Sequence, residues 1–147
     1  MIAVAVARYC TGLGLVDYQP DEAGGNAFIV AMPEAPDLAA VFSPYGGADF
    51  SGAATFGYDE PRVQVMTRSA AGVPQLGYAL AVQIYDVLQG LEYTVMDPGG
   101  DAEADVVYCK ALQTAPVLIG LDDNGRARWT LNYSLHVKVA ASTNRET

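Results

Sequence analysis

The stretch "PQLGYALAVQIYDVLQG", from Pro74 to Gly90, constrains the fold more than any other. Its apolar residues recur at helical spacing, and Asp86 is its only charge. At about 100° per residue, Leu76, Leu80, Ile84, Val87, Leu88 and Leu91 fall on one stripe. Tyr78, Val82 and Tyr85 gather roughly opposite, where an ordinary surface helix places lysine and glutamate. Pro74 suits a first helical position and Gly90 a C-terminal cap, so a helix is predicted over about 74–89. A helix apolar on two sides is buried on two sides. One stripe covers a sheet. The other meets either another subunit or a loop of the same chain, with 48–57 and "DPGGDAEAD" (97–105) as the two candidates.

The sheet is legible as alternation. In "RVQVMTR" (62–68), Val63, Val65 and Thr67 point one way and Arg62, Gln64, Met66 and Arg68 the other. Pro61 fits a strand's first position, where its missing N–H is harmless. In "ARWTLNYSLHVKV" (127–139), Trp129, Leu131, Tyr133, Leu135, Val137 and Val139 share one face. Arg128, Thr130, Asn132, Ser134, His136 and Lys138 share the other. Asn124-Gly125, just upstream, is a hairpin signal. Shorter apolar segments at 26–33, 37–47 and 105–113 read as further strands, 116–120 as an apolar segment before a turn, and 2–14 as a short helix ended by Gly12 and Gly14. The predicted fold class is α+β: a single mixed or antiparallel sheet packed by one long helix and a short N-terminal helix. The 147 residues suit one domain, with a loose polar tail from about 140.

Composition narrows the function. The chain is 51% hydrophobic and 17% charged, which is globular rather than disordered. Its formal net charge of −9 disfavours gripping free nucleic acid, which calls for a basic excess. The two cysteines, Cys10 and Cys109, and the single histidine, His136, cannot supply the four ligands of a zinc site. They read as two reduced, buried thiols. The apolar start "MIAVAVARYC" is too short to span a membrane, and its only basic residue, Arg8, follows the apolar run, opposite to a signal peptide. A soluble protein used in a cytoplasm-like setting is expected.

Catalytic signals are absent. His136 has Ser134 on the same face but no nucleophile elbow, and reads as a solvated strand histidine. Asp97, Asp101, Glu103 and Asp105 lack the ligand order of a calcium loop and read as a solvated acidic loop. No phosphate-binding glycine loop is present. Neither an enzyme, nor a cofactor, nor a metal is expected. The charge layout says more: Arg62, Arg68, Arg128 and Lys138 stand on polar strand faces, and carboxylates cluster in loops. The two sets can attract each other across a repeated interface.

The order of elements then resembles a known family. Glu60-Pro61-Arg62-Val63-Gln64-Val65, the helix end Tyr85-Asp86-Val87-Leu88 with Gly90-Leu91, and Pro116 through Gly125-Arg126 are similar to the tail terminator proteins of long, non-contractile-tailed bacteriophages, often labelled minor capsid or minor tail proteins. The resemblance spans roughly Asn26 to Val139. It implies a structural virion protein of the tail or neck, assembled in the host cytoplasm without a cofactor. It further implies a ring, typically a hexamer, that caps the tail tube protein and offers a surface to the head–tail connector or stopper. DNA passes through such a ring without specific binding, and no membrane is involved. On this resemblance Tyr78, Val82, Tyr85, Arg62, Arg68, Arg128 and Lys138 are the expected subunit-interface residues. Two alternatives stand beside it: a head–tail connector or head-completion ring protein, and a small ligand-binding domain or enzyme.

Overall fold

The computed structural model describes residues 1–21, 24–47 and 57–138. In chain order it has helix α1 (Ile2–Gly12), strands β1 (Ala27–Ile29), β2 (Ala39–Gly47), β3 (Tyr58–Asp59) and β4 (Pro61–Arg68), helix α2 (Gln75–Leu88), then β5 (Leu91–Met96), β6 (Ala104–Ala111), β7 (Val117–Leu121) and β8 (Ala127–Lys138). The loop 48–57, apart from Gly57, and the tail from Val139 lie outside the described residues.

The long alternating strand organises the sheet. β4 runs along one flank of β8, and on the other flank β6 and then β7 take successive parts of it. The eight strands run β1-β2-β4-β8-β6-β5, with β3 and β7 both paired to β8. Every pairing is antiparallel except β1 with β2, so the sheet is mixed, as expected. Opposed residues share a face: Val63 meets Tyr133 and Val65 meets Leu131 on one side. Arg62 meets Ser134 and Gln64 meets Asn132 on the other.

Both helices pack on the apolar face. Val6 and Cys10 of α1 and Leu80, Ile84 and Leu88 of α2 join Phe42, Val63, Val65, Val106, Leu131, Tyr133 and Leu135 in one core. Each fully buried aliphatic side chain there contributes about 1.5–3 kcal/mol. The architecture is two layers, and among the described residues no helix covers the second sheet face. Both thiols are free and buried, and burial pushes each up to about 12. Tyr133 reaches so deep that its hydroxyl finds no partner among the described residues.

α2 is rotated relative to the predicted stripe. Its buried line is Gly77, Leu80, Ala81, Ile84 and Leu88, whereas Leu76 is 44% exposed. The cause is close approach at Gly77. A Cβ there would stand 2.5 Å from Ser69 Oγ and 3.1 Å from the Arg68 carbonyl carbon. The Ser69 hydroxyl accepts from Gly77 N and donates to Pro74 O, both at 2.7 Å, while Thr67 Oγ1 donates to Gly77 O at 2.7 Å. These bonds hold the first turn of α2 against the end of β4 and turn Leu76 outward. The same rotation brings Tyr85 against the core instead of opposite it. Trp129 is likewise no core residue: it is half-buried at the sheet end, with Nε1 donating to Pro74 O at 2.9 Å.

β5 is not among the strands that alternation predicts. It follows α2 at once, through Gly90 at φ 78, and pairs with β6. The acidic loop beside it is not simply solvated. Arg8 of α1 bonds Asp97 at 2.7 Å and Asp101 as well, so this loop closes against α1 and not over the outer side of α2.

Candidate assembly interface

Four expected interface residues are basic, and the structure separates them. Arg68 is buried, and its guanidinium donates to the carbonyls of Glu34, Pro36 and Asp37, at 3.4, 2.6 and 3.0 Å. It fastens the β1–β2 connection of its own chain and is not offered to a neighbour. Arg62, Arg128 and Lys138 do stand on the sheet face away from the helices, joined by Lys110, which opposes Ser134. None of these four makes an ion pair among the described residues. Arg62 Nε and Arg128 Nε are buried without a partner there, as is Thr130 Oγ1. His136 on this face is half-buried rather than solvated: it stacks on Tyr108 at 5.1 Å and lies 4.8 Å from Tyr58.

The sequence gives no hint of the role of Arg126. It is buried where the β7–β8 hairpin closes, bonded to Asp122 at 2.7 Å, Glu34 at 2.9 Å and Asp37 at 3.3 Å. Burial opposes its charge, but hydrogen bonds to Asp122, Asp37 and Glu34 outweigh that and raise its pKa. Asp122 takes backbone bonds from Arg126 N and Asn124 N, and its carboxyl lies below the usual range, chiefly through the first of these. Arg68 and Arg126 together pin residues 34–37 across the sheet end. Nothing local in sequence announces this, because the partners lie 31 to 34 positions from Arg68 and 89 to 92 from Arg126.

The tyrosine face divides. Tyr85 packs inward, Val82 is half-buried, and Tyr78 is exposed with its ring edge-on to Trp129 at 5.1 Å. Tyr78 and Trp129 line an apolar groove of about 550 Å³ together with Pro74, Leu118, Leu121 and Ala127. β7 forms its wall. Among the described residues β7 pairs only with β8, and Leu118 and Leu121 are 52% and 63% exposed. An exposed apolar strand with a free edge invites a partner. Sequence reasoning missed this groove, because "PVLIG" is apolar without a period and so declares no face.

Among the described residues no group of three or more metal-ligating side chains converges, and no helix is long and apolar enough to cross a membrane. Among the described residues the fold offers a continuous sheet with a basic face, and a groove lined by apolar and uncharged side chains. The bacteriophage tail terminator protein family matches residues 9–139, and the chain belongs to that family. It is therefore a structural protein of the phage tail. No curated protein matches it. In fold it is similar to a chain of the virion of a native gene transfer agent particle, with a TM-score of 0.62 at 16% identity over 94% of this chain and 95% of that one.

Proposed function

We propose that this chain acts as one domain in a six-membered ring that caps the finished tail tube and presents its other rim to the head connector. The observation that carries this reading is the family match over nearly the whole chain. A tube end is an unfilled copy of the tube's own stacking surface and keeps growing until something occupies it. A terminator must match that surface on one rim and differ from it on the other. The two-layer fold suits such a part, since one continuous sheet holds the rims at a fixed spacing.

Tyr78 and Val82, with Arg62, Arg128 and Lys138, are the residues assigned to neighbours in this reading. A closed ring uses two different faces of each copy. Exposed pairs between basic sheet face and acidic loop contribute about 0–1 kcal/mol each, so they set orientation more than affinity. The net charge of −9 keeps passing DNA from adhering to the ring.

The test is to add purified chain to tube protein that is polymerising. Growth should stop, with the added chain found at one tube end by gold labelling. Unchecked growth, with the chain bound only to connector protein, would overturn capping and favour the connector role.

A further inference from the structure

Asn124-Gly125 is the one asparagine–glycine pair in the chain, and it stands at the tip of the β7–β8 hairpin. Both residues are exposed. An asparagine before glycine is open to attack on its side-chain amide by the next backbone nitrogen, because glycine has no Cβ to crowd the closing ring. The space at Gly125 is open, since a Cβ there would meet nothing within 4 Å. The other described asparagines lack this setting: Asn26 precedes Ala27, and Asn132 stands mid-strand in β8 before Tyr133.

The surroundings of the pair set both a rate and a consequence. Gly125 N donates to Asp122 O at 3.0 Å, a bond that the attack must give up. One turn bond of this kind slows the reaction about two- to tenfold without stopping it. Asn124 N donates to Asp122 Oδ1 at 2.9 Å, and Asn124 Nδ2 to Glu34 Oε2 at 3.1 Å. The same Glu34 oxygen accepts from Arg126 Nη2 at 2.9 Å. Asn124 is thus a donor set among carboxylates, and it helps Arg126 hold Glu34 in place.

We infer that Asn124 is a self-modifying site: Gly125 N closes on its side-chain amide, and the carboxylate that results loosens the Arg126 clamp on residues 34–37. Gly125 N yields its proton to solvent base and bonds to Asn124 Cγ. The Cγ–Nδ2 bond breaks, and the nitrogen takes up a proton and leaves as ammonia. Water then opens the succinimide at either carbonyl, which leaves an aspartyl or an isoaspartyl residue at position 124. The sum is amide plus water to carboxylic acid plus ammonia, with no oxidant or cofactor. Both products lose the donor to Glu34 and set two carboxylates side by side with no proton between them. Glu34, Asp37, Asp122 and Asp123 already outnumber Arg68 and Arg126 at this sheet end, so a further negative charge is repelled. The isoaspartyl product also lengthens the backbone inside the turn that Gly125 N closes. The reaction uses only this chain and water, so it stands apart from the capping reading.

The experiment ages the full chain in warm, mildly alkaline buffer beside the free peptide 111–126. Trypsin releases that peptide by cutting after Lys110 and Arg126, and it holds no other asparagine. Mass spectrometry should find it gaining the mass of NH2 replaced by OH, with isoaspartate detected by enzymatic methyl transfer. The rate should lie within about tenfold of the free peptide's. Asn26 and Asn132 should stay intact over the same time. Urea unfolding of the aged chain, and of Asn124→Asp, should show the equilibrium moved about two- to tenfold toward the unfolded state. In a Glu34→Gln background Asn124→Asp should cost less, because the opposing carboxylate is gone. An intact 111–126 peptide in the chain after the free one has converted would overturn the modification. An aged chain and Asn124→Asp as stable as the parent, or a cost unchanged beside Glu34→Gln, would overturn the loosened clamp.

Discussion

Replacing Gly77 by alanine should destabilise the protein, against the ordinary rule. Within a helix, glycine to alanine is favourable by about 1 kcal/mol. Here the new methyl would stand 2.5 Å from Ser69 Oγ and 3.1 Å from Ser69 N. Ser69 Oγ cannot retreat without giving up its bonds to Gly77 N and Pro74 O. Two such bonds contribute about 0.5–1.5 kcal/mol each. Forcing a methyl into packed backbone costs about 1–3 kcal/mol more. Set against the helical gain, the net cost is about 1–5 kcal/mol, and about 3 is the central value. At this chain length that lowers the melting temperature by roughly 6–12 °C. Urea unfolding measures it, with an unchanged slope showing that only stability moved. In a Ser69→Ala background the bonds are already gone, so Gly77→Ala should cost less there. A Gly77→Ala variant about 1 kcal/mol more stable than the parent would refute the close approach and the helix rotation built on it.

Leu80→Ala should cost about 2–5 kcal/mol in the same assay, since Leu80 is buried in the core beside Ala81 and Ile84. Tyr133→Phe should be neutral or stabilising by about 1 kcal/mol, because the hydroxyl it removes is buried without a partner among the described residues. Asp101, held down mainly by its bond from Arg8, and Asp122, held down mainly by Arg126 N, both have lowered pKa values. Their contribution is fully present above the ordinary carboxylate value of about 3.9 and is lost as pH falls through the lowered ones. Stability should therefore drop below about pH 4, and Asp122→Asn should show a shallower drop. Cys10 and Cys109 should resist thiol reagents at neutral pH until the chain unfolds, because burial holds both thiols protonated.

The sheet was readable where a strand has one wet and one dry face. Arg62 to Arg68 and Arg128 to Lys138 alternate, and the structure pairs them in register. Reading failed where periodicity carries no information. "LEYTVM" gives no clean alternation, and only pairing with β6 makes it a strand. Leu76 looked like core by spacing, because a helical wheel does not count glycine as a contact, yet Gly77 fixes the rotation. Arg68 looked like one more exposed cation on a polar face. Its burial depends on residues 34–37, which reach it by tertiary folding alone. The groove was hidden for the same reason: Pro74, Tyr78, Leu118 and Trp129 come from three separate segments.

The central claim is that this chain ends the tail tube. Its most direct test is the length distribution of tails, by electron microscopy, in particles assembled with and without this protein. Capping predicts tails of uncontrolled length and heads without tails when it is missing. Tails of normal length that merely fail to join heads would contradict it.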